Sequence, residues 1–145
     1  MPLLNYTTQI DTGKTIGEIH KCLAAHKAIA ILNEYDDTGS IVAVSFKIRL
    51  GENEVGFKLP SDWRPVLKLL ERNSKVPRRL ATKEQAIRVS WRIIKDWVEA
   101  QMAIVETEMV KLEQVFLPYA ITKDGITLYE RVIKGGLLLG DGKPL

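Results

Sequence analysis

Thr82-Lys83-Glu84-Gln85-Ala86-Ile87-Arg88-Val89-Ser90-Trp91-Arg92-Ile93-Ile94-Lys95-Asp96-Trp97-Val98-Glu99-Ala100-Gln101-Met102-Ala103-Ile104-Val105-Glu106 reads as one long helix. Neither Gly nor Pro interrupts it. Thr82 and Gln85 form a capping box, in which the hydroxyl takes an orphan N–H and the amide reaches back. Apolar residues recur in two adjacent rows, Ala86-Ile93-Trp97-Ala100-Ile104 and Ile87-Trp91-Ile94-Val98-Met102-Val105. At 3.6 residues per turn the rows merge into an apolar arc of roughly 200°, about twice what a surface helix needs. The pattern therefore predicts a central helix with other elements packed on two of its sides.

The opposite strip of this helix carries Gln85, Arg88, Arg92, Lys95, Asp96, Glu99 and Glu106. Arg92 with Asp96 and Lys95 with Glu99 stand four apart and can pair, each pair worth about 0.2–0.5 kcal/mol. Two readings fit the strip: a solvated, salt-bridged face, or a row in which Arg88, Arg92 and Lys95 meet an anionic partner. Gln101 projects into the apolar arc, and an unpaired amide there would cost about 1–3 kcal/mol. We expect it to bond a strand end or loop inside the fold, with a ligand contact as the alternative.

N-terminal to this helix, Tyr6–Ile10 reads as a short strand, and Thr15 with Glu18 as a capping box opening a helix that runs to about His26. Residues 28–35 read as a buried strand and 41–49 as a strand with Val44, Phe46 and Ile48 facing in. Residues 54–59 form the third strand of a meander, so that helices cover one face only. A helix over 62–73 comes next, with Pro65 in its first turn and a stripe of Val66, Leu67, Leu69 and Leu70. Ser74–Ala81 is a basic connector in which Arg78 and Arg79 are expected to be exposed and flexible.

C-terminal to the long helix, Lys111–Phe116 can add a short turn before Pro118. Ala120–Tyr129 reads as a β-hairpin closed by Asp124-Gly125. After Glu130 comes a Gly/Leu-rich tail, which docks as an edge strand or lies on a neighbouring subunit. The expectation is an α+β fold: a β-α-β-β-β meander sheet packed on a long central helix, with a C-terminal β-hairpin. Residues 1–130 form one domain and 131–145 the tail.

The chain's 145 residues suffice for one domain with a real core. Its single cysteine, Cys22, excludes an internal disulfide and a Cys-rich zinc site. No apolar run approaches a membrane span and the N-terminus lacks the pattern of a signal peptide, so no membrane partner and a cytoplasmic setting are expected. Charge is unevenly placed. Residues 64–95 hold ten Lys/Arg against Glu71 and Glu84, a net +8 in a chain of net +3. Such an excess is the usual footprint of a phosphate-bearing partner.

The residues assemble no recognisable catalytic motif, metal site or cofactor fingerprint. Gly13-Lys14-Thr15 lacks the first Gly of a phosphate loop. His20 and His26, six apart, do not share a helix face, read as surface residues, and find no carboxylate or thiol with which to build a triad. Asp36-Asp37 with Glu34 could hold a divalent ion, although an acidic turn is commoner. Trp97 lies near the centre of the apolar arc. Trp91 lies at its edge beside the basic strip, where it serves either core packing, the commoner role, or stacking of a base. The chain is thus expected to be a non-enzyme without a cofactor.

Tyr6-Thr7-Thr8, Thr15–Ile19, Glu34-Tyr35-Asp36, Glu84–Trp97, Val115–Tyr119 and Asp124–Glu130, taken in order, resemble a family of small bacteriophage- and prophage-encoded proteins, over about residues 6–130. The tail departs from the family's pattern. The resemblance implies a phage accessory protein in the bacterial cytoplasm and carries over no catalytic residue. Together these readings predict a binding protein for nucleic acid with Arg78, Arg79, Arg88, Trp91, Arg92 and Lys95 as contacts. The alternatives are an inhibitor of a host or defence protein, and capture of a small nucleotide signal by Arg88 and Arg92 with Trp91 stacking. A homo-oligomer is also expected, with Met102, Val105, Met109 and Leu137–Leu139 at its interface. The competing arrangement is a monomer whose hairpin and tail finish the core.

Overall fold

Val44, Phe46 and Ile48 alternate with Ser45, Lys47 and Arg49, and this period of two makes one face of the sheet apolar. In the computed structural model, which describes residues 1–136, the sheet is three-stranded and antiparallel. β1 (Ala30–Tyr35), β2 (Ile41–Leu50) and β3 (Asn53–Lys58) lie side by side in that order. Phe46 of β2 pairs with Ile31 of β1 and Phe57 of β3. The Phe46 and Phe57 rings stack at 5.2 Å, and Phe116 meets Phe46 edge-on at 5.4 Å. On the outer face Lys47 pairs with Glu54 at 3.2 Å, a surface ion pair worth about 0–1 kcal/mol.

Five α-helices accompany the sheet among the described residues: α1 (Thr12–Ala25), α2 (Trp63–Arg72), α3 (Lys83–Glu106), α4 (Leu112–Val115) and α5 (Leu128–Gly135). The fold is therefore α+β. Ile16, Ile19 and Leu23 of α1 join Trp91, Ile94, Val98 and Met102 of α3 over the inner face of the sheet. A second, smaller cluster forms where Leu70 of α2 and Val76 pack on Ala86 of α3.

The arc of α3 is not covered evenly. Gln85, Ala86, Val89, Ser90 and Trp91 are all buried: α2 packs on Ala86, the N-terminal arm bonds Gln85, and Trp91 lies in the main core over the sheet. In the second half only the stripe of Ile94, Val98 and Met102 is buried, and Ala100 and Ile104 face solvent. Leu69 of α2 is likewise exposed, outside the stripe that meets α3. Met102, expected at a subunit interface, is part of the core.

Several expected elements differ. Tyr6–Ile10 forms no strand; it is a turn leading into extended chain, with no neighbouring strand to pair with among the described residues. α1 starts earlier than the Thr15–Glu18 pattern implied, because Asp11 caps it by accepting the Gly13 N–H at 3.0 Å. β1 is not buried: it lies at the sheet edge, and Leu32 and Tyr35 are exposed. Asp124-Gly125 does turn the chain, with Gly125 at φ +81°, but the flanking residues pair only through a single bridge, Ile121 to Thr127. Thr127 and Glu130 then form a reciprocal capping box that starts α5, so Tyr129 is helical and not in a hairpin strand. α5 crosses the expected boundary at residue 130, and the Leu137–Leu139 segment lies outside the described residues.

Candidate phosphate-binding surface

The ten cations of residues 64–95 separate into two sets. Arg64, Lys68, Arg72, Lys75, Arg78, Arg79 and Lys83 are exposed; Arg88, Arg92 and Lys95 are partly buried. The first set lies on α2, on the connector and on the first turn of α3. Arg64, Lys68 and Arg72 succeed one another at intervals of four and so form one row along α2. Arg78 and Arg79 sit exposed, as expected, in a 3-10 turn, Arg78–Leu80, within the connector. Among the described residues only Arg64 of this set has an ion-pair partner, Asp62, whose carboxylate accepts two bonds from the guanidinium at 3.0 and 3.1 Å. That pairing, and after it the bond from the Arg64 backbone, holds the Asp62 carboxyl below its usual range.

The second set is occupied within the protein. Arg92 donates to Glu18 at 3.0 Å and to the Thr15 hydroxyl at 3.3 Å, both on α1. Lys95 lies 3.6 Å from Glu18, 3.7 Å from Asp96 and 3.0 Å from Glu99. Its ammonium pKa is raised, first by the hydrogen bond to Glu99, against the opposing effect of burial. Burial disfavours the charged form of Glu18, but the Arg92 hydrogen bond and the charges of Arg92, Lys95 and Lys14 outweigh it and lower its pKa. Arg88 donates to the Gln85 side chain at 3.0 Å. Gln85, only 2% exposed, donates in turn to the backbone carbonyls of Tyr6 and Thr8, both at 2.9 Å. Its amide thus holds the N-terminal arm and does not reach back to its own helix cap. Asn5 completes that attachment by donating to Asp96 at 2.8 Å.

From Gln85 to Asp96 the polar strip of α3 is accordingly the surface on which α1 and the N-terminal arm dock, whereas Glu99 and Glu106 at its C-terminal end are exposed. Lys95–Glu99 forms as the spacing predicts, whereas Arg92 turns to Glu18 and leaves Asp96 to Asn5 and Lys95. Trp91 is 2% exposed and part of the core, which removes its indole face from stacking. Of the six expected contacts, Arg78 and Arg79 have no ion-pair partner among the described residues and can meet a ligand; Arg88, Trp91, Arg92 and Lys95 are engaged internally. The buried amide that bonds a loop is Gln85 rather than Gln101. Trp63, absent from the expected contacts, opens α2 half-buried beneath the Lys83 ammonium, 4.9 Å from its ring centroid.

A third constellation joins α1 to the end of α3. His26 Nδ1 lies 2.7 Å from the Cys22 carbonyl oxygen and Nε2 lies 2.6 Å from Glu106. His20 meets Asn33 at 2.9 Å, and His26 has the carboxylate and the neighbouring thiol that the sequence did not lead us to expect. Cys22, His26 and Glu106 look like a nucleophile–base–acid set, but the hydrogen bonds are wrong for one. A carbonyl and a carboxylate are both acceptors, so both ring nitrogens must carry protons. The Cys22 carbonyl bond, then Glu106, raises the pKa of His26 and favours imidazolium. The Cys22 thiol, 4.0 Å from Nδ1, is pushed up in pKa by burial and by Glu99 and Glu106. With Nδ1 engaged by the Cys22 carbonyl and Nε2 by Glu106, neither ring nitrogen is placed to take the thiol proton, which general-base activation of a nucleophile requires.

Asp36 spends its carboxylate on the backbone N–H groups of Thr38 and Ser40 and on the Thr38 hydroxyl, which lowers its pKa, and Glu34 turns to Lys58. The acidic turn is thereby explained as a capped loop. Among the described residues no cluster of three His, Cys, Asp or Glu side chains is placed to hold a metal ion, and no helix is long and apolar enough to cross a membrane. Comparison of the chain with protein-family models, curated proteins and solved structures finds no match.

Proposed function

We propose that this chain is a non-enzymatic phage-type accessory protein that binds a phosphate-bearing partner, nucleic acid, in the cytoplasm of a bacterial host. Its contact surface is the row on α2 continued by Arg78, Arg79 and Lys83. The supporting observation is that seven neighbouring cations in sequence are exposed while, among the described residues, only Arg64 of them is paired. Four of the seven, Arg64, Lys68, Arg72 and Lys83, stand on helices packed against each other, so their backbone is in place before the partner arrives, which lowers the ordering cost of binding. Phosphate contacts release counterions, so six or more of them would lower affinity by about 10³-fold or more between about 50 and 200 mM salt. Fluorescence anisotropy with labelled DNA and RNA across that range tests the reading. Absence of binding at the lowest salt would overturn it.

Leu69 favours a second reading. It is 48% exposed between Lys68 and Arg72, an apolar side chain in the middle of a basic row. An acidic host or defence protein would bury it, whereas phosphates gain nothing from it. Leu69→Ser distinguishes the two, because it weakens a protein complex and leaves a nucleic-acid complex unchanged.

A further inference from the structure

A cavity of about 340 Å³ opens beside the basic row, between the Asp36–Ser40 turn, residues Ser61–Arg64 and the first turns of α3. That volume falls at the lower end of the range for small-ligand sites. Val42 and Ile87 give it apolar wall, and Trp63 stands at it with the Lys83 ammonium over its ring. Its charges balance: Asp36 and Asp62 against Arg64 and Lys83. The surplus positive charge lies outside, on α2 and the connector.

Such a division suits a ligand with a neutral, flat part and an anionic part outside it. We propose that the cavity takes one unpaired base of a single-stranded nucleic acid, stacked on Trp63, while the strand's phosphates track the basic row. This deepens the nucleic-acid reading and rests on it. A phosphate gains little in a cavity whose charges cancel, and a paired base in a duplex cannot enter it. Stacking a base on an indole outweighs an exposed ammonium on the same face. The base therefore displaces Lys83, whose flexible stem lets the ammonium swing out to a phosphate; Asp36 and Asp62 then outnumber Arg64, which keeps phosphate out of the cavity and leaves it to a neutral base.

The test compares three labelled probes of equal length at one salt concentration: a single strand, the same strand with abasic sites in place of its bases, and the duplex. The base-bearing strand should bind about 5- to 150-fold more tightly than the abasic strand, the fold-change that stacking of one base implies. It should also bind more tightly than the duplex. Trp63→Ala should abolish the preference for bases and Trp63→Phe should restore part of it. Because the probe comparison uses the unaltered chain, it holds even if Trp63→Ala misfolds. Equal binding of the base-bearing and abasic strands overturns the cavity's role and leaves the phosphate surface standing, as does tighter binding of the duplex. Failure of all three probes to bind overturns both.

Discussion

Arg92 Nη1 of α3 lies 3.0 Å from Glu18 Oε2 of α1. The cation is therefore a fastening between two helices, and the same carboxylate also holds Lys95 at 3.6 Å. Glu18→Ala should cost about 1–2 kcal/mol, below the figure for a fully buried charged bond because Glu18 retains some solvent. The lowered pKa of Glu18 sets the sign with pH. Its contribution is fully present above the usual Glu range and disappears as pH falls through the lowered value. Urea unfolding at pH 7 and at successively lower pH should show wild type and Glu18→Gln converging.

The two sets of cations should behave oppositely on mutation. Arg78→Glu with Arg79→Glu should weaken nucleic-acid binding and reduce the slope of log affinity against log salt by about two units or more, with the urea midpoint unchanged. Arg92→Ala should lower the midpoint and leave the slope as it was. An unchanged slope in the double charge reversal would move the contact surface away from the connector.

His26 carries the opposite pH sign to Glu18. Its pKa is raised in the folded chain by the Cys22 carbonyl and Glu106. Its stabilisation is fully present below the ordinary histidine value of about 6.5 and is lost as pH rises through the raised folded value. The stability difference between wild type and His26→Gln should be larger at pH 5.5 than at pH 8.5. An NMR titration of the imidazole with a midpoint below about 6.5 would contradict the assigned hydrogen bonds.

Gln85 is the one side chain among the described residues that binds both the Tyr6 and Thr8 carbonyls. Gln85→Ala should destabilise the fold by about 1–3 kcal/mol, since it leaves both carbonyls without that donor. Hydrogen exchange at the amides of Tyr6, Thr8 and Ile10 should accelerate, with those of β2 rising only as far as global stability falls.

The end of α3 bears on assembly. Ile104 is 37% exposed and Met109 is 71% exposed. We expect a two-fold dimer that covers them, the commonest closed arrangement, and Met109→Glu should shift it to monomer. Light scattering at micromolar concentration that gives the mass of one 16.4 kDa chain for wild type would exclude the dimer.

Elements whose signal is local were legible in the chain. The alternation of Val44, Phe46 and Ile48 specifies a strand because side chains switch faces at every residue. Thr82 caps α3 because an orphan N–H needs a nearby oxygen. The Thr127–Glu130 box was equally local and marks α5, but the Asp124-Gly125 turn just before it suggested a hairpin. A turn specifies reversal of the chain and leaves open whether the next residues form a strand or a helix.

What the sequence determined by itself was the kind of element at most positions and the concentration of cations between residues 64 and 95. Only the tertiary structure decided which of those cations are taken up within the fold. Arg92 and Arg79 are chemically identical, yet one finds Glu18 across 74 residues of chain and the other meets no acid among the described residues. Pairing depends on which surfaces meet when α1, α3 and the N-terminal arm pack together. No helical period or residue spacing encodes that distance, because Coulomb attraction and hydrogen bonding act through space rather than along the chain.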